Sequence, residues 1–532
     1  MNPPAILLTT LNATYSHASL GLRYLLANMG DLRPRTLLCE FTIARPAQEV
    51  VDELLLMLDR PGSGPRIVGF GVYIWNVIQT TAVVRLLKAA RPDVKVILGG
   101  PEVSHETGQQ EIVSFADHVI TGWGDLSFAA LCRTLLYGPA PVSMVIKGEQ
   151  PRLDQIRMPY AEYSAADLAH RVVYVEASRG CPFSCEFCLS ALDKTAWAFD
   201  LDLFLAEMEG LYQRGARHFK FVDRTFNLKV DASIRILQFF LDRPADDLFV
   251  HFEVVPDHLP PPLKDMIVQF PPGVLQFEVG IQSFNIEVQQ RISRRQDNEK
   301  AEANLRWLVD QSNAHVHADL ILGLPSETLE SFAAGFDRLL EIGPHEIQLG
   351  ILKRLRGTPI IRHTLEYGMI FDPAPPYLVR ETSAIDATTM QRVSRFARYW
   401  EVIANSGKFR QTMRLLLDEG IASGEDTAAR AVPEARPSPF QAFLCFSDWL
   451  WQRTGKTSGL GPELLVDALS DYLCLERRLT LPEVQQALVS DYAGSGARGS
   501  PLSLRGLLPK RSPPLRQPRT RSRRQEHHRT VE

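Results

Sequence analysis

Cys181, Cys185 and Cys188 lie in the run SRGCPFSCEFCLS, three thiols at CxxxCxxC spacing inside one short loop. A closed structural zinc site takes four protein ligands, and an ordinary [4Fe-4S] electron carrier takes four cysteines. Three thiolates on a cubane leave one iron open, where a small molecule can bind and be attacked. A zinc or plain surface cysteine cluster is the alternative use of such a loop. The other four cysteines, Cys39, Cys132, Cys445 and Cys474, are scattered among mostly apolar neighbours and read as buried small hydrophobes. An odd total of seven with no disulfide-like pattern points to reduced thiols and a cytoplasmic location.

Such a loop needs a rigid frame. It follows the strand pattern RVVYVEAS, and five more strand patterns come after it: HFKFVDRT, FVHFEVV, LQFEVGIQS, VHADLILG and HEIQLGIL. Helical periodicity separates them at 202–214, 231–242, 260–268, 286–291, 298–311 and 327–341. Six strands with intervening helices predict a partial (β/α)6 TIM-like barrel over 170–371. Chemistry in such barrels sits at the carboxyl ends of the strands, which is where the cysteines fall.

Residues 1–140 also alternate strand and helix, which predicts an α/β domain with a doubly wound parallel sheet. The loops YIWN (73–76), GGPEVS (99–104) and TGWGD (121–125) mark strand carboxyl ends, where open sheets bind ligands. Glycines there either admit close approach of a flat or anionic ligand or serve only as turns. Gly99-Gly100-Pro101 is not GxGxxG, and there is no Walker A run. A proline-bearing linker covers 141–169, and from about Asp372 the alternation stops. Residues 372–490 read as an all-α domain, interrupted by a polar segment near 421–438.

Hydrophobic content of 45% and charge of 23% are ordinary for a globular chain. No run approaches 18 apolar residues, and the first residues lack signal-peptide features, so no membrane span is expected. The net charge of −4 hides a basic tail: residues 493–532 carry ten Lys or Arg against Glu526 and Glu532. Rich in Pro, Ser and Arg, the segment 491–532 is expected to be disordered, a solvated extension or else a contact for nucleic acid or an anionic surface. Nothing else resembles a nucleic-acid module.

The CxxxCxxC loop after a first barrel strand resembles the radical SAM superfamily, and the preceding sheet with GGPEVS resembles the cobalamin (vitamin B12)-binding domain joined to many of its members. The likeness spans roughly residues 1–370, and the helical part after it is similar to an uncharacterised domain found with some of these proteins. The resemblance implies three cofactors, a [4Fe-4S] cluster, S-adenosyl-L-methionine (SAM) and cobalamin. It implies reductive SAM cleavage to methionine and a 5′-deoxyadenosyl radical, fed by an external one-electron donor of flavodoxin or ferredoxin type.

Residue by residue, it makes Cys181, Cys185 and Cys188 the cluster ligands and sets Phe187 near the SAM adenine. Glu253, Glu278, Gln282 and Ser283 would line the SAM and substrate cavity. Arg294 would pair with a carboxylate, and Asp319 and Gly323 would border the adenosine. Cobalamin would be held through Tyr73, Trp75, Gly99, Gly100, Glu102 and Gly122.

Three departures stand out. The second-strand motif, usually GGE-like, reads FVDRTFN, leaving Asp223, Arg224 and Asn227 as substitutes. The cobalt-ligand motif DxHxxG is absent, with His17 and His105 as substitutes. A GEGE-like turn is replaced by Gly122-Trp123-Gly124-Asp125, where Trp123 either seals the pocket or disables it. The methylthiotransferase branch, with three additional N-terminal cysteines, does not fit.

Three functions remain open on the sequence. The first is a cobalamin-dependent radical SAM methyltransferase acting on an unactivated carbon or phosphorus of an unknown small-molecule or natural-product substrate. The second is a radical SAM cyclase or oxidoreductase without methyl transfer. The third is a non-catalytic cobalamin or Fe-S sensor.

Overall fold

The computed structural model describes residues 5–58, 66–139, 141–243, 245–417, 438–495, 497 and 499–508. The chain forms two compact units. The first holds the described residues up to Glu253 with Lys353–Arg362 and Phe371–Leu378; the second holds Val254–Leu352, His363–Ile370 and the described residues from Val379 onward.

The first unit opens with six parallel strands, β1 (Ile6–Asn12), β2 (Thr36–Thr42), β3 (Ile67–Gly71), β4 (Lys95–Gly99), β5 (His118–Thr121) and β6 (Val145–Lys147). Their order is β2-β1-β3-β4-β5-β6, so the winding reverses between β1 and β3. Four helices flank them, α1 (Leu20–Ala27), α2 (Ala47–Leu58), α3 (Val77–Ala90) and α4 (Ser127–Tyr137).

All seven residues of β1 are buried, and successive side chains serve opposite faces. Leu7 and Leu11 join Val68, Phe70, Val96 and Leu98 in a core with Val50, Leu54, Val83 and Leu87 of α2 and α3. Ile6 and Leu8 join Ile67 and Ile97 in a second core with Leu22, Leu26, Phe128 and Leu131 of α1 and α4. This is the doubly wound sheet expected. The strand β6, inside the proline-bearing linker, was not.

The same unit continues through α5 (Ala165–His170), β7 (Val173–Val175), a small hairpin of β8 (Ser178–Arg179) and β9 (Trp197–Ala198), α6 (Leu201–Gln213), β10 (His218–Phe221), α7 (Val230–Leu241) and β11 (Phe249–Val254). The second unit holds α8 (Pro261–Ile267), β12 (Leu275–Gln282), α9 (Ile286–Arg291), α10 (Asn298–Gln311), β13 (His315–Leu322), α11 (Leu329–Ile342) and β14 (Glu346–Ile351). The second sheet has order β14-β13-β12-β11-β10-β7, strictly sequential, the topology of a partial six-stranded barrel. In β12 burial alternates strictly, with Leu275, Phe277, Val279 and Ile281 inside and Gln276, Glu278, Gly280 and Gln282 on the half-open face.

The C-terminal part is helical: α12 (Ala387–Ile403), α13 (Arg410–Leu417), α14 (Pro439–Thr454), α15 (Pro462–Leu475) and α16 (Leu481–Gly494). Phe396, Trp400, Phe440 and Phe443 pack with Phe336 of α11 as an aromatic core. The polar segment near 421–438 and the tail beyond residue 508 lie outside the described residues, apart from Ser438, which caps α14.

The expected disorder from residue 491 does not hold for the described part. There α16 runs to Gly494 and a short turn, Leu502–Leu504, buries Leu504 completely. The carboxylate of Asp467 explains that turn by accepting from the Leu502 and Ser503 amides. Among the described residues no helix is long and apolar enough to cross a membrane.

Candidate cofactor sites

The cysteine loop leaves β8 and returns through β9. Cys181 and Cys185 are buried and Cys188 is partly buried; none forms a disulfide. The loop is tied at several points. The Cys181 amide donates to the Asp193 carbonyl at 2.9 Å, and the Cys188 amide to that of Cys185 at 3.2 Å. Lys194 donates to the Phe183 carbonyl. The Ile360 amide donates to the Glu186 carbonyl at 3.0 Å, and Arg362 ion-pairs with the buried Glu186 carboxylate. Among the described residues no three His, Cys, Asp or Glu side chains converge on one ion. A cubane does not ask for that, because each thiolate binds a different iron, and three thiols outside any disulfide in one short loop suit it.

A cavity of ≈ 290 Å³ opens at the carboxyl ends of β3, β4 and β5. Its walls include Gly69, Gly71, Gly99, Gly100, Gly122 and Gly124, with Tyr24, Tyr73, Trp123, Asp125 and Arg179 among the larger groups. The glycines have different jobs. Gly100 has φ 110°, and a Cβ there would stand 2.5 Å from the Val72 carbonyl oxygen, so this position tolerates glycine alone. A Cβ on Gly99 would meet nothing nearer than 3.8 Å, so its missing side chain is open volume. A largely apolar slot lined by backbone suits a bulky planar ligand tail, which is the fit cobalamin requires.

Of the expected cobalamin contacts, Tyr73, Gly99, Gly100 and Gly122 line this cavity. Trp75 does not, but it stacks on Tyr73 with ring centroids 4.5 Å apart and is 49% exposed.

Glu102 departs from expectation. It is buried, and its carboxylate takes a hydrogen bond from the Tyr377 hydroxyl at 2.5 Å and an ion pair from Arg356 at 3.0 Å. Arg354 and Arg356 also clasp Glu106 at 3.0 and 2.9 Å. Burial, then Glu102, pushes the Tyr377 phenol up to about 12.

Neither substitute histidine lines the cavity. His17 faces the Tyr174 hydroxyl at 2.5 Å, where burial lowers its pKa, and His105 packs against Gly357.

Trp123 neither blocks nor leaves the cavity. It forms part of the wall, with its indole N–H donating to Asp193 at 3.0 Å.

At the end of β10, Asp223 is fully enclosed. It accepts from the Ser178 hydroxyl at 2.6 Å and the Ala177 amide at 3.0 Å, and burial pushes its carboxyl up to about 7. It therefore latches the strand that precedes the cysteines. Arg224 ion-pairs with Glu253 at 2.6 Å, so that carboxylate carries its own counter-ion. Asn227 is buried, and Phe187 is half-buried in the cysteine loop.

In the second unit, Glu278 lies opposite His317 and Asp319 opposite Gly280 and Gln348 on one half-open face of β12–β14. Gln282 ends β12 at a register shift with φ 69°. Ser283 is buried and donates to Glu327 at 2.8 Å, while Arg294 is held by the Gly280 carbonyl and Gln296. Gly323 has φ 86°, and a Cβ there would strike Val379, so its role is geometric. Glu327 escaped sequence reasoning. It is buried, shared by Ser283 and Ser331, and burial pushes its carboxyl up to about 7.

Of the remaining cysteines Cys132 is buried as expected, whereas Cys39 and Cys474 are half-buried and Cys445 is exposed. At Cys445 the exposed residue lies on α14 between Leu444 and Phe446, which are both buried, so flanking apolarity misled.

Comparison with known proteins agrees with this geometry. The Radical SAM superfamily model matches residues 175–339 and the B12 binding domain model matches 6–132; the C-terminal helices lie outside both. The cobalamin-dependent radical SAM methyltransferase TokK of Streptomyces tokunonensis is 25% identical over 399 residues, 66% of this chain and 55% of that protein. The 2-(S-pantetheinyl)-carbapenam-3-carboxylate methyltransferase of Streptantibioticus cattleyicolor is 25% identical over 319 residues, 53% of this chain and 46% of that protein. The chain spans about half the length of these curated relatives.

Among solved structures, the cobalamin-dependent S-adenosylmethionine radical enzyme OxsB, with aqua-cobalamin and SAM bound, superposes with a TM-score of 0.59 at 13% identity, covering 92% of this chain and 79% of that one. The radical SAM methyltransferase TsrM from Kitasatospora setae gives 0.54 at 16%, covering 70% and 79%. At such identities these two likenesses concern the fold. The cofactors are a [4Fe-4S] cluster, SAM and cobalamin. Residues 175–339 form a radical SAM superfamily domain, and a B12 binding domain precedes it over residues 6–132.

Proposed function

We propose that this protein is a cobalamin-dependent radical SAM methyltransferase that methylates an unactivated centre of a small-molecule substrate. The cluster and cobalamin, when bound, supply the one-electron chemistry and the methyl carriage; the chain binds, orients and shields them. The observation that carries this reading is that a single compact unit contains both the three-cysteine loop and the glycine-lined cavity, with Arg179, two residues before Cys181, in the cavity wall. Relatives named as methyltransferases support the reaction type.

In this reading residues 1–140 hold cobalamin, 170–371 hold the cluster and SAM, and 372–490 form the helical domain. Cys181, Cys185 and Cys188 ligate the cluster. Phe187, Glu253, Glu278, Gln282, Ser283, Arg294 and Asp319 serve SAM, and Tyr73, Trp75, Gly99, Gly100 and Gly122 serve cobalamin. Electrons come from a flavodoxin or ferredoxin type donor.

The test is anaerobic reconstitution with iron, sulfide and hydroxocobalamin, followed by product analysis. 5′-Deoxyadenosine together with cobalamin-dependent S-adenosylhomocysteine is expected. Deoxyadenosine alone would favour a cyclase or oxidoreductase, and SAM binding with neither product would favour a sensor. In Cys185→Ala, deoxyadenosine should fall below detection; cleavage equal to wild type would remove the cluster assignment.

A further inference from the structure

The cavity and the cysteine loop share a wall. Trp123 and Arg179 both line the cavity, and each is bonded directly into the loop. The Trp123 indole N–H donates to Asp193 Oδ2 at 3.0 Å, and the Asp193 carbonyl accepts the amide of Cys181 at 2.9 Å. Two hydrogen bonds therefore separate the cavity wall from a cluster ligand.

Arg179 provides a second route. Its guanidinium lies 4.7 Å from the ring centroids of both Tyr24 and Trp123 and pairs with Asp125 at 3.0 Å and Glu176 at 2.6 Å. Burial works against the Arg179 cation, but Glu176 and Asp125 outweigh it and hold its pKa above the ordinary value. Its own carbonyl accepts from Thr195 Oγ1 at 3.2 Å.

Neither end of the bridge can give way easily. A Cβ on Gly148 would stand 2.0 Å from the Trp123 carbonyl oxygen, and one on Gly180 would stand 2.6 Å from Thr195 Oγ1. The turn behind Trp123 and the loop in front of it are both backed by close-packed main chain.

We propose that Trp123 and Arg179 are positioning residues that couple the cobalamin cavity to the cysteine loop, so that filling the cavity fixes the loop that holds the cluster. The proposal rests on the cofactor assignment made above. A ligand in the cavity restricts the Trp123 ring and the Arg179 guanidinium, and restricting them restricts Asp193 and Cys181. The second cofactor then meets groups already ordered, which is positive cooperativity. Linkage makes the effect reciprocal: the cluster must tighten cobalamin by the factor by which cobalamin tightens the cluster.

The experiment measures hydroxocobalamin affinity on the full chain before and after iron–sulfide reconstitution, in wild type, Trp123→Phe and Arg179→Lys. Phenylalanine keeps the ring and removes the N–H, while lysine keeps the charge and loses the flat stack and fork. In wild type, reconstitution should tighten hydroxocobalamin about three- to tenfold, the range of one hydrogen bond. In either variant the gap between the two affinities should narrow, in the double variant it should close, and there hydrogen exchange of amides 181–195 should stop responding to hydroxocobalamin.

A merely structural role would weaken both states alike and leave the ratio intact, which would overturn the proposal. Equal affinities in the two wild-type states would do the same while leaving the cofactor assignment standing. No hydroxocobalamin uptake in either state would instead remove the cofactor assignment, and the coupling with it.

Discussion

Strands of the first sheet end in glycines, Gly71 and Gly99 at the last positions of β3 and β4 and Gly122 just past β5. In the second unit β12 carries Glu278 and ends in Gln282, with Ser283 just past it, and β13 carries His317 and Asp319. Both are parallel strands offering their carboxyl ends to a ligand, yet one set offers volume and backbone while the other offers directed side chains. Volume suits a large cofactor whose shape does the selecting. Directed carboxylates and hydroxyls suit a small charged molecule that must be held in one orientation.

The contrast can be broken most forcefully at Gly99. Its missing Cβ borders open space, so Gly99→Val should fold, fill the slot and abolish hydroxocobalamin uptake while iron loading and SAM binding persist. An absorbance titration reads this directly, and undiminished uptake would show that the slot is not the cofactor's seat. The matching change on the other side is Glu278→Ala, expected to weaken SAM about tenfold, the size of a lost charged hydrogen bond, with hydroxocobalamin uptake unaltered. Isothermal titration of both ligands checks it; loss of both together would mean that the two sets of strand ends do not divide the labour as described.

A smaller effect is expected at Ser283, whose hydroxyl donates to the buried Glu327 carboxyl at 2.8 Å. Ser283→Ala should cost about 1–3 kcal/mol in a urea titration. If stability falls while SAM affinity stays, Ser283 belongs to the scaffold rather than to the ligand.

The smallest change concerns pH. The Asp223 carboxyl is raised from 3.8 to about 7 in the folded chain, first by burial. Its protonated form is the one the fold prefers, so its stabilising share is present at acid pH and is lost as pH rises through 7. Asp223→Asn cannot titrate. Urea midpoints at pH 5 and pH 8 should therefore show the variant gaining on wild type at the higher pH, and parallel losses would contradict the sign.

Period-2 and period-3.6 patterns made the two sheets and most helices legible from the sequence, because those elements are decided by neighbours a few residues away. The helix α16 could have been found the same way: Thr480 and Pro482 mark its start, and Val484, Leu488 and Tyr492 repeat on one buried face. The strand β6 is three residues long and largely exposed, so it has no pattern to read.

The cysteine loop was legible by spacing alone. What local sequence could not carry were pairings across long separations. Glu102 looked like a ligand contact until Arg356 and Tyr377, 254 and 275 positions later, claimed its carboxylate. Asp223 looked like a displaced SAM contact, yet its partners lie 45 and 46 residues earlier. Charged residues at strand ends advertise that something binds them; only the fold says whether it is a ligand or the chain itself.

The clasp on Glu102 and Glu106 has a consequence for how the protein is made. A chain emerges from synthesis N-terminus first and folds as its segments appear. The loop bearing Gly99 and Gly100 is produced early, but the arginines and tyrosine that fasten it arrive roughly 250 residues later. The first sheet can form its two cores long before the mouth of its cavity is secured. Cofactor loading into a finished site therefore belongs to the end of biosynthesis, and a chain truncated before Tyr377 would carry an intact sheet with an unfastened mouth.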